Sequence, residues 1–538
     1  MTVYIHIALY ILTAAFLVLA CQRFVHMLQL EGYRNKNLFR WLCAHRRAVY
    51  ALPAAAAVFG ILLALLANVF FPDAAIYIFF VSGAAYLILI IVYIRRLRGE
   101  KAKKPLVYTG RVKRLFVYIC VFHIIVSGGA LLLDLLMFSG TVFAGTALFL
   151  LILLAGIGVM AANLLAMPLE AAIRGWYLHD AKRILAQRGD LIRIGITGSY
   201  GKTSCKFILG TVLSEQYNVL VPPSSYNTPM GLTRVVREQL ERSHEVFIAE
   251  MGARYQGDIK ELCSLVHPQY GLLTWVGPQH LETMGSIENI AKTKYELVEG
   301  LQENGTAFFP ADNAICLKMY QKTTHDKYLF ALDYKGDAYA RAENIQAGKY
   351  GSRFDLILDG ERIACETKLL GKHNIVNITG CAAVARKLGL TTAQIRLGIR
   401  KIQPVQHRLE LLPMKGGVTV IDDAFNANPS GVRAAMEVIK MFEGRRIVVT
   451  PGLVELGAQE KAENFAFGKV MAEAADIVYL IGQKHTQPIY DGLIEGGFDK
   501  ASIYVFSSLD EASESLWQQA RPGDVVLFEN DLPDNYNE

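Results

Sequence analysis

Apolar residues are spread unevenly along this chain. From Val3 to Met167 they run almost without a break, whereas after Arg174 they come in short bursts between polar stretches. Five early runs, near residues 3–22, 48–71, 74–94, 115–138 and 141–167, are long enough to cross a bilayer, since a spanning helix takes about 20 apolar residues. Beyond them the pattern changes. The β-branched segment "LIRIGIT" reads as a strand. It is followed by "KTSCKFILGTVLSEQ", whose apolar positions 207, 208, 209, 212 and 213 recur with helical spacing. Further strand-like stretches, "HEVFIAEMGA" and "YGLLTWVG", come next. After Pro404, "GVTVIDDAF", "RRIVVTPG", "ADIVYLIG" and "DVVLFEN" alternate with helical segments, the pattern of an α/β unit. The expectation is a multi-domain chain with an all-α polytopic membrane domain over residues 1–175. Two α/β domains follow, at 176–403 and 404–538.

Composition and charge refine this picture. The chain has 538 residues, 52% of them hydrophobic, and a net charge of +6. The positive charge is concentrated between the apolar runs: six Lys or Arg in residues 23–47 and nine in residues 95–114, with none at Pro72-Asp73 or Ser139-Gly140. Such basic loops lie on the cytoplasmic side of a plasma membrane. The N-terminus is therefore expected outside and everything after the fifth run in the cytoplasm. The same distribution assigns the charge to a lipid bilayer and not to nucleic acid. The eight cysteines include no C-x-x-C pair, which argues against a zinc site or a disulfide framework.

Candidate chemistry begins at "GITGSYGKTS", residues 195–204. The common phosphate loop, G-x-x-x-x-G-K-[ST], would place a glycine where this chain has Ile196. The context is nevertheless strand, glycine turn, helix. A helix N-terminus offers free N–H groups and a positive dipole end, and glycines let the backbone approach phosphate oxygens. Gly198, Ser199, Gly201, Lys202, Thr203 and Ser204 form the candidate cradle, with Lys202 for the β/γ-phosphates of ATP and Thr203 for Mg²⁺. Glu250 closes the strand of "HEVFIAEMGA". A carboxylate there stands at the edge where α/β ligands bind, and suits a Mg²⁺ ion. His280 and Glu282, in "GPQHLETMGS", fall at the same edge.

The ordered segments "TGSYGKT", "YNTPMGL", "EMGA", "GPQHLETMGSIENIAKTKYEL", "GKHNIVN", "HRLELL" and "IDDAFNANP" together resemble the Mur ligases, and most closely the MurF type, over roughly residues 190–530. Their phosphate loop, T-G-[ST]-x-G-K-[ST], lacks the early glycine, as this one does. The resemblance implies ATP-dependent amide formation through an acyl phosphate, with D-Ala-D-Ala joined to a peptidoglycan precursor in the MurF case. It implies that Lys202 and Thr203 hold phosphate and Mg²⁺ and that Glu250 and His280 serve a second metal. By the same resemblance, Lys294 of "AKTKYEL" is carbamylated and metal-holding, with Lys292 the neighbouring alternative; a solvated helix face is the ordinary reading of either lysine. His373 and Asn374 match residues beside adenine, Arg408 a phosphate ligand and Asp423 a ribose ligand, while Asn426 and Asn428 shape that loop.

The chain departs from the family in two places. Five apolar runs stand where a UDP-binding domain begins the MurF enzymes. It also ends in "VVLFENDLPDNYNE", where they carry a basic K-G-S-R stretch. The expectation is a ligase of retained chemistry acting on a changed, lipid-linked cell-wall precursor, with an amino acid or dipeptide as the incoming amine. Partner enzymes of the cell envelope are a further expectation. Two rivals are a catalytically inactive precursor-binding scaffold, against which Lys202, Glu250, His280 and Lys294 argue, and a membrane-tethered ATPase, for which no coupling signature is visible. The topology is directly testable. A cysteine placed at Lys103 is expected to resist an impermeant thiol reagent in intact cells and to react after permeabilisation. Labelling in intact cells would reverse the orientation.

Overall fold

The computed structural model describes residues 2–70, 75–98, 105–137, 151–223, 226–412, 416–425 and 427–531. The chain divides into two compact units, Met1–Gly175 and Trp176–Pro533.

In the first unit the apolar runs are helical. Helices Thr2–Leu30, Arg46–Phe70, Ala75–Arg98 and Gly110–Met137 occupy the first four, and the fifth is described from residue 151, ending in helix Ala155–Ala186. The early part of that run, and the links at Pro72-Asp73 and Ser139-Gly140, lie outside the described residues. Among the described residues three helices are long and apolar enough to cross a membrane: Tyr10–Leu30, Gly110–Leu133 and Ala155–Ala186. The first basic loop holds a helix that the run pattern did not predict, Asn35–Ala44, which buries Leu38 and Leu42. The helices share a core that includes Leu17, Phe24, Leu28, Tyr86 and Ile119. Their outward faces are apolar too: Ile88, Val117, Ile124, Ile125, Leu164 and Leu165 are between 61% and 67% exposed. A water-facing surface rarely carries such continuous apolar area.

The second unit contains two sheets. The first comprises β1 (Ile192–Thr197), β2 (Val219–Leu220), β3 (Val246–Glu250), β4 (Tyr270–Leu273), β5 (Thr306–Pro310), β6 (Asp326–Ala331), β7 (Ala340–Gly348), β8 (Gly351–Leu358) and β9 (Glu361–Thr367). Their order is β2-β3-β1-β4-β5-β6-β7-β8-β9. Pairing is parallel as far as β7, and β7 to β9 form an antiparallel ribbon. β3 and β5 are buried along their whole length. Helices cover both faces of such a sheet, which is why these strands read as unbroken apolar runs. The order places β1 between β3 and β4, so the loops that leave the carboxyl ends of all three lie side by side.

The second sheet comprises β10 (Glu410–Leu412), β11 (Thr419–Asp423), β12 (Arg446–Thr450), β13 (Ile477–Ile481), β14 (Ile503–Phe506) and β15 (Val525–Glu529), in the order β10-β11-β15-β12-β13-β14. Only β10 is antiparallel to its neighbour. The carboxyl ends of β11, β15 and β12 are adjacent, which brings together Asp423, Glu529 and the loop that starts at Pro451. All eight cysteines are free.

Candidate active site

Helix Lys202–Leu213 starts at Gly201, whose backbone is left-handed at φ +77°. A side chain there would also press on Asn377, because a Cβ would lie 2.8 Å from its Oδ1. Gly198 is required for a different reason: any Cβ would strike Thr274 Oγ1. The bare backbone lets the loop lie against the segment that follows β4. There Ser199 N donates to Trp275 O at 2.6 Å, Ser199 Oγ to Gly277 O at 2.9 Å, and Tyr200 Oη to Pro278 O at 2.7 Å. Lys202 Nζ donates to Gly198 O at 2.7 Å and Ser199 O at 3.1 Å. Burial pulls this ammonium down to about 8 against the opposing pull of Glu250. Ser204 is partly buried in the first turn of the helix.

Glu250, the last residue of β3, is only 1% exposed. A carboxylate so buried needs partners, and it has three kinds. Thr203 Oγ1 lies 3.0 and 3.1 Å from its two oxygens, and Asn227 Nδ2 donates to Oε1 at 3.2 Å. Lys206 Nζ is 3.3 Å from Oε2, its side chain wholly buried. Thr203 and Glu250, both singled out in the sequence, are therefore in direct contact. A hydroxyl and a carboxylate form a hard oxygen pair that suits Mg²⁺, an ion commonly completed by water and substrate phosphates. Among the described residues no group of three His, Cys, Asp or Glu side chains is arranged to enclose a metal. The pair thus fits an ion shared with nucleotide better than a closed protein cage.

Helix Ile287–Glu299 is capped by Ser286, whose side chain accepts from Asn289 N, and it buries Ile290, Thr293, Lys294, Leu297 and Val298. Lys294 thus occupies a position on the apolar stripe of the helix and is 2% exposed, while Lys292 is exposed. The solvated-face reading is corrected for Lys294 and holds for Lys292. Burial, and then the neighbouring charge of Lys202, hold the Lys294 amine well below the usual lysine range. His280 has φ +53° and caps the short helix Leu281–Met284. Its Nδ1 is 2.6 Å from Glu455 Oε2, a residue the sequence did not single out.

The remaining predicted residues come from the segment after β9 and from the second sheet. Asn374 is buried near the start of helix Lys372–Lys387 and donates to Leu370 O at 2.9 Å; His373 beside it is exposed. Asn377, one turn further on, contacts both Asn374, at 3.4 Å, and the Gly201 turn. Arg408 is presented between His407 and Leu409, both left-handed at φ +58° and +46°. It lies over the Phe425 ring at 4.8 Å and interacts electrostatically with Asp423, Glu250 and Glu529. The Arg408 guanidinium therefore links the two sheets' edges. Asp423 accepts from Leu409 N at 3.2 Å. Asn428 caps helix Pro429–Ile439 by accepting from Ser430 N and Gly431 N; Asn426 lies outside the described residues. A groove of about 740 Å³ between the β7–β9 ribbon and the helix over 392–401 contains none of these residues.

Four residues with a place at this edge were missed in the sequence: Lys206, Asn227, Asn377 and Glu455. Asn227 and Asn377 stand inside the segments "YNTPMGL" and "GKHNIVN". Lys206 repeats the phosphate-loop lysine one helical turn later. Glu455 carries no local signal.

Comparison with known proteins shows what the chain is similar to. The chain matches the Mur ligase middle domain over residues 196–385 and the Mur ligase, glutamate ligase domain over residues 407–529. It is 31% identical over 400 residues to the UDP-N-acetylmuramoyl-tripeptide--D-alanyl-D-alanine ligase of Mycobacterium bovis, covering 69% of this chain and 78% of that one. Identity to the Bacillus subtilis enzyme of the same name is 28% over 358 residues, or 65% and 74% of the two chains. Among solved structures, MurF from Acinetobacter baumannii superposes with a TM-score of 0.61 at 24% identity, covering 68% of this chain and 78% of that one. MurF from Thermotoga maritima in complex with ADP gives 0.60 at 24% identity, covering 66% and 80%.

The buried ion pair beneath the loop yields a prediction. Lys206→Met leaves the Glu250 charge without its cation and is expected to destabilise the second unit by about 3–5 kcal/mol. Denaturant unfolding followed by tryptophan fluorescence measures this, since Trp275 touches the loop. Adding Glu250→Gln to Lys206→Met should recover much of the loss, whereas strictly additive effects would show that the pair is not coupled.

Proposed function

The chain belongs to the Mur ligase family, and from that premise we propose that it is a membrane-anchored, MurF-like peptide ligase whose acceptor is a lipid-linked cell-wall precursor. As a Mur ligase it is an ATP-dependent ligase of peptidoglycan synthesis, with ATP and Mg²⁺ as its cofactors. The observation that carries the ligase reading is the contact of Thr203 with Glu250 beside Lys202 at one sheet edge. The relatives' printed name points to D-alanyl-D-alanine as the incoming amine and to a tripeptide-bearing acceptor. The exposed apolar helix faces support the five-span anchor, and an anchor of that kind places the ligase domains beside a membrane that could carry a lipid-linked acceptor. The proposed domain limits are 1–175, 176–403 and 404–538.

In the proposed reaction the acceptor carboxylate takes the γ-phosphoryl group of ATP, and ADP departs. The amine then attacks the acyl carbon, the C–O bond to phosphate breaks, and the amine proton passes to solvent. The protein's task is positioning and charge neutralisation. Lys202 and Arg408 bear on the phosphates, and Thr203 and Glu250 would hold Mg²⁺, which neutralises phosphate charge when bound. His373 and Asn374 flank the adenine, and Asp423 the ribose.

Lys294 has a distinct role. Burial and the neighbouring charge of Lys202 disfavour the protonated amine, and the unprotonated form is the one that reacts with carbon dioxide. The new N–C bond and the loss of one proton turn it into a carbamate anion. That anion would balance the nearby charge of Lys202 and, with Glu250 and His280, would supply ligands for a second cation.

The test is ligation itself. The purified full chain is incubated with ATP, Mg²⁺, D-alanyl-D-alanine and, in parallel, UDP-linked or lipid-linked peptide precursors, and new amides are read by mass spectrometry. The lipid-linked product is expected. Product from the UDP-linked precursor alone would overturn the acceptor assignment, and no ATP-dependent amide from either would overturn the ligase reading. Lys202→Ala should lower turnover by about a hundredfold or more.

Variants of Lys294 separate an anionic from a cationic role. Lys294→Ala should be inactive and partly rescued by acetate or propionate. Lys294→Arg should remain inactive, because guanidinium stays charged, and Lys292→Ala should be nearly unaffected. An active Lys294→Arg enzyme would end the carbamate assignment.

A further inference from the structure

The short contact between His280 and Glu455 joins residues 175 positions apart, from the two different sheets. His280 follows β4, and Glu455 lies in the loop that leaves β12. Both have left-handed backbones, at φ +53° and +63°, a conformation costly for residues other than glycine and retained where surrounding structure enforces it. The two turns lie close together: a Cβ on Gly457 would be 3.7 Å from the backbone N and Cα of Glu282. The second oxygen of Glu455 faces Arg254, 3.6 Å away, in the loop that follows Glu250. His280 and Glu455 side chains are only 17% and 20% exposed.

We infer that Glu455 is a positioning residue that fixes the orientation and tautomer of His280, so that metal capture is completed only when the second sheet's domain is docked. The inference rests on the reading of His280 as a cation ligand. A carboxylate at Nδ1 keeps the ring proton there and leaves the Nε2 lone pair directed elsewhere, the arrangement by which ligand histidines are held for metals. A plain interdomain latch is the competing role, and the geometry favours the first. The Arg254 contact is longer, and Arg254 is 65% exposed, where an ion pair contributes little. The short contact is the one made to the imidazole. Because Glu455 is contributed by the second sheet, docking and cation affinity become thermodynamically linked: whatever favours one favours the other.

The experiment uses the full chain with Mn²⁺ as probe and a non-hydrolysable ATP analogue. Bound Mn²⁺ is measured by electron paramagnetic resonance and thermal stability is recorded in parallel. Glu455→Ala is expected to weaken Mn²⁺ binding by about 10- to 100-fold. Glu455→Gln, which keeps an acceptor oxygen, should recover part of that loss. Arg254→Ala should stay within about twofold of the parent, the range expected of an exposed pair. His280→Ala should weaken Mn²⁺ binding at least as much as Glu455→Ala. Equal effects of Arg254→Ala and Glu455→Ala would assign a latch and overturn the inference. So would unchanged Mn²⁺ affinity in Glu455→Ala when His280→Ala loses it. If His280→Ala itself retains full affinity, the reading of His280 as a ligand fails and the inference falls with it.

Discussion

The buried negative charge of Glu250 is the constraint about which this site is organised. At 1% exposure the carboxylate must be compensated, since an isolated buried charge costs several kcal/mol even after relaxation. Compensation comes from two chain segments: Thr203 and Lys206 on the helix after β1, and Asn227 on the segment before the next helix. None of these can be displaced without stranding the charge. The geometry proposed for the cation is therefore secured by contacts that tie the end of β3 to the helix after β1. Lys206 carries the structural share of that charge, which leaves Lys202, four residues earlier, to face the loop carbonyls. Two lysines one turn apart thus divide the work between fold and ligand.

Local pattern made the first sheet legible. Strand, glycine turn and helix sit in consecutive residues, and the switch of apolar spacing at Thr197 is visible without any tertiary information. Glu250 could be found because a carboxylate ending an apolar strand is unusual. Lys294 was legible in principle: Ile290, Lys294, Leu297 and Val298 follow the spacing of a buried helical stripe, and a lysine on that stripe must be either paired or neutral. The first unit was legible as helices from run length alone. Its short helix Asn35–Ala44 was not, because a basic loop and an amphipathic helix with two buried leucines differ by only a few positions.

Residues whose partners are far away in sequence were not legible. Glu455 meets His280 across 175 positions, and nothing near it distinguishes it from a solvent-facing glutamate. Asn377 matters because a glycine turn 176 residues earlier needs something to rest against. Arg408 was found only through resemblance, although its flanking left-handed residues hold it out of the regular chain. For Glu455 and Arg408 the information resides in how the two sheets of one unit dock, and for Asn377 in how a later helix packs on the first sheet; residue spacing encodes neither.

The carboxyl ends of β11 and β15 bring two acidic residues together. Glu529, the last residue of β15, pairs in register with Asp423 on β11. Both face Arg408, which is also within electrostatic reach of Glu250. Burial pushes Asp423 up to about 6 against the pull of Arg408, and burial reinforced by Asp423 pushes Glu529 well above the usual range. The charge of Asp423 disfavours ionisation of Glu529, and the Arg408 guanidinium opposes that effect at both carboxyls. The same guanidinium also faces Glu250 beside the phosphate loop, so the edges of the two sheets are coupled electrostatically through Arg408.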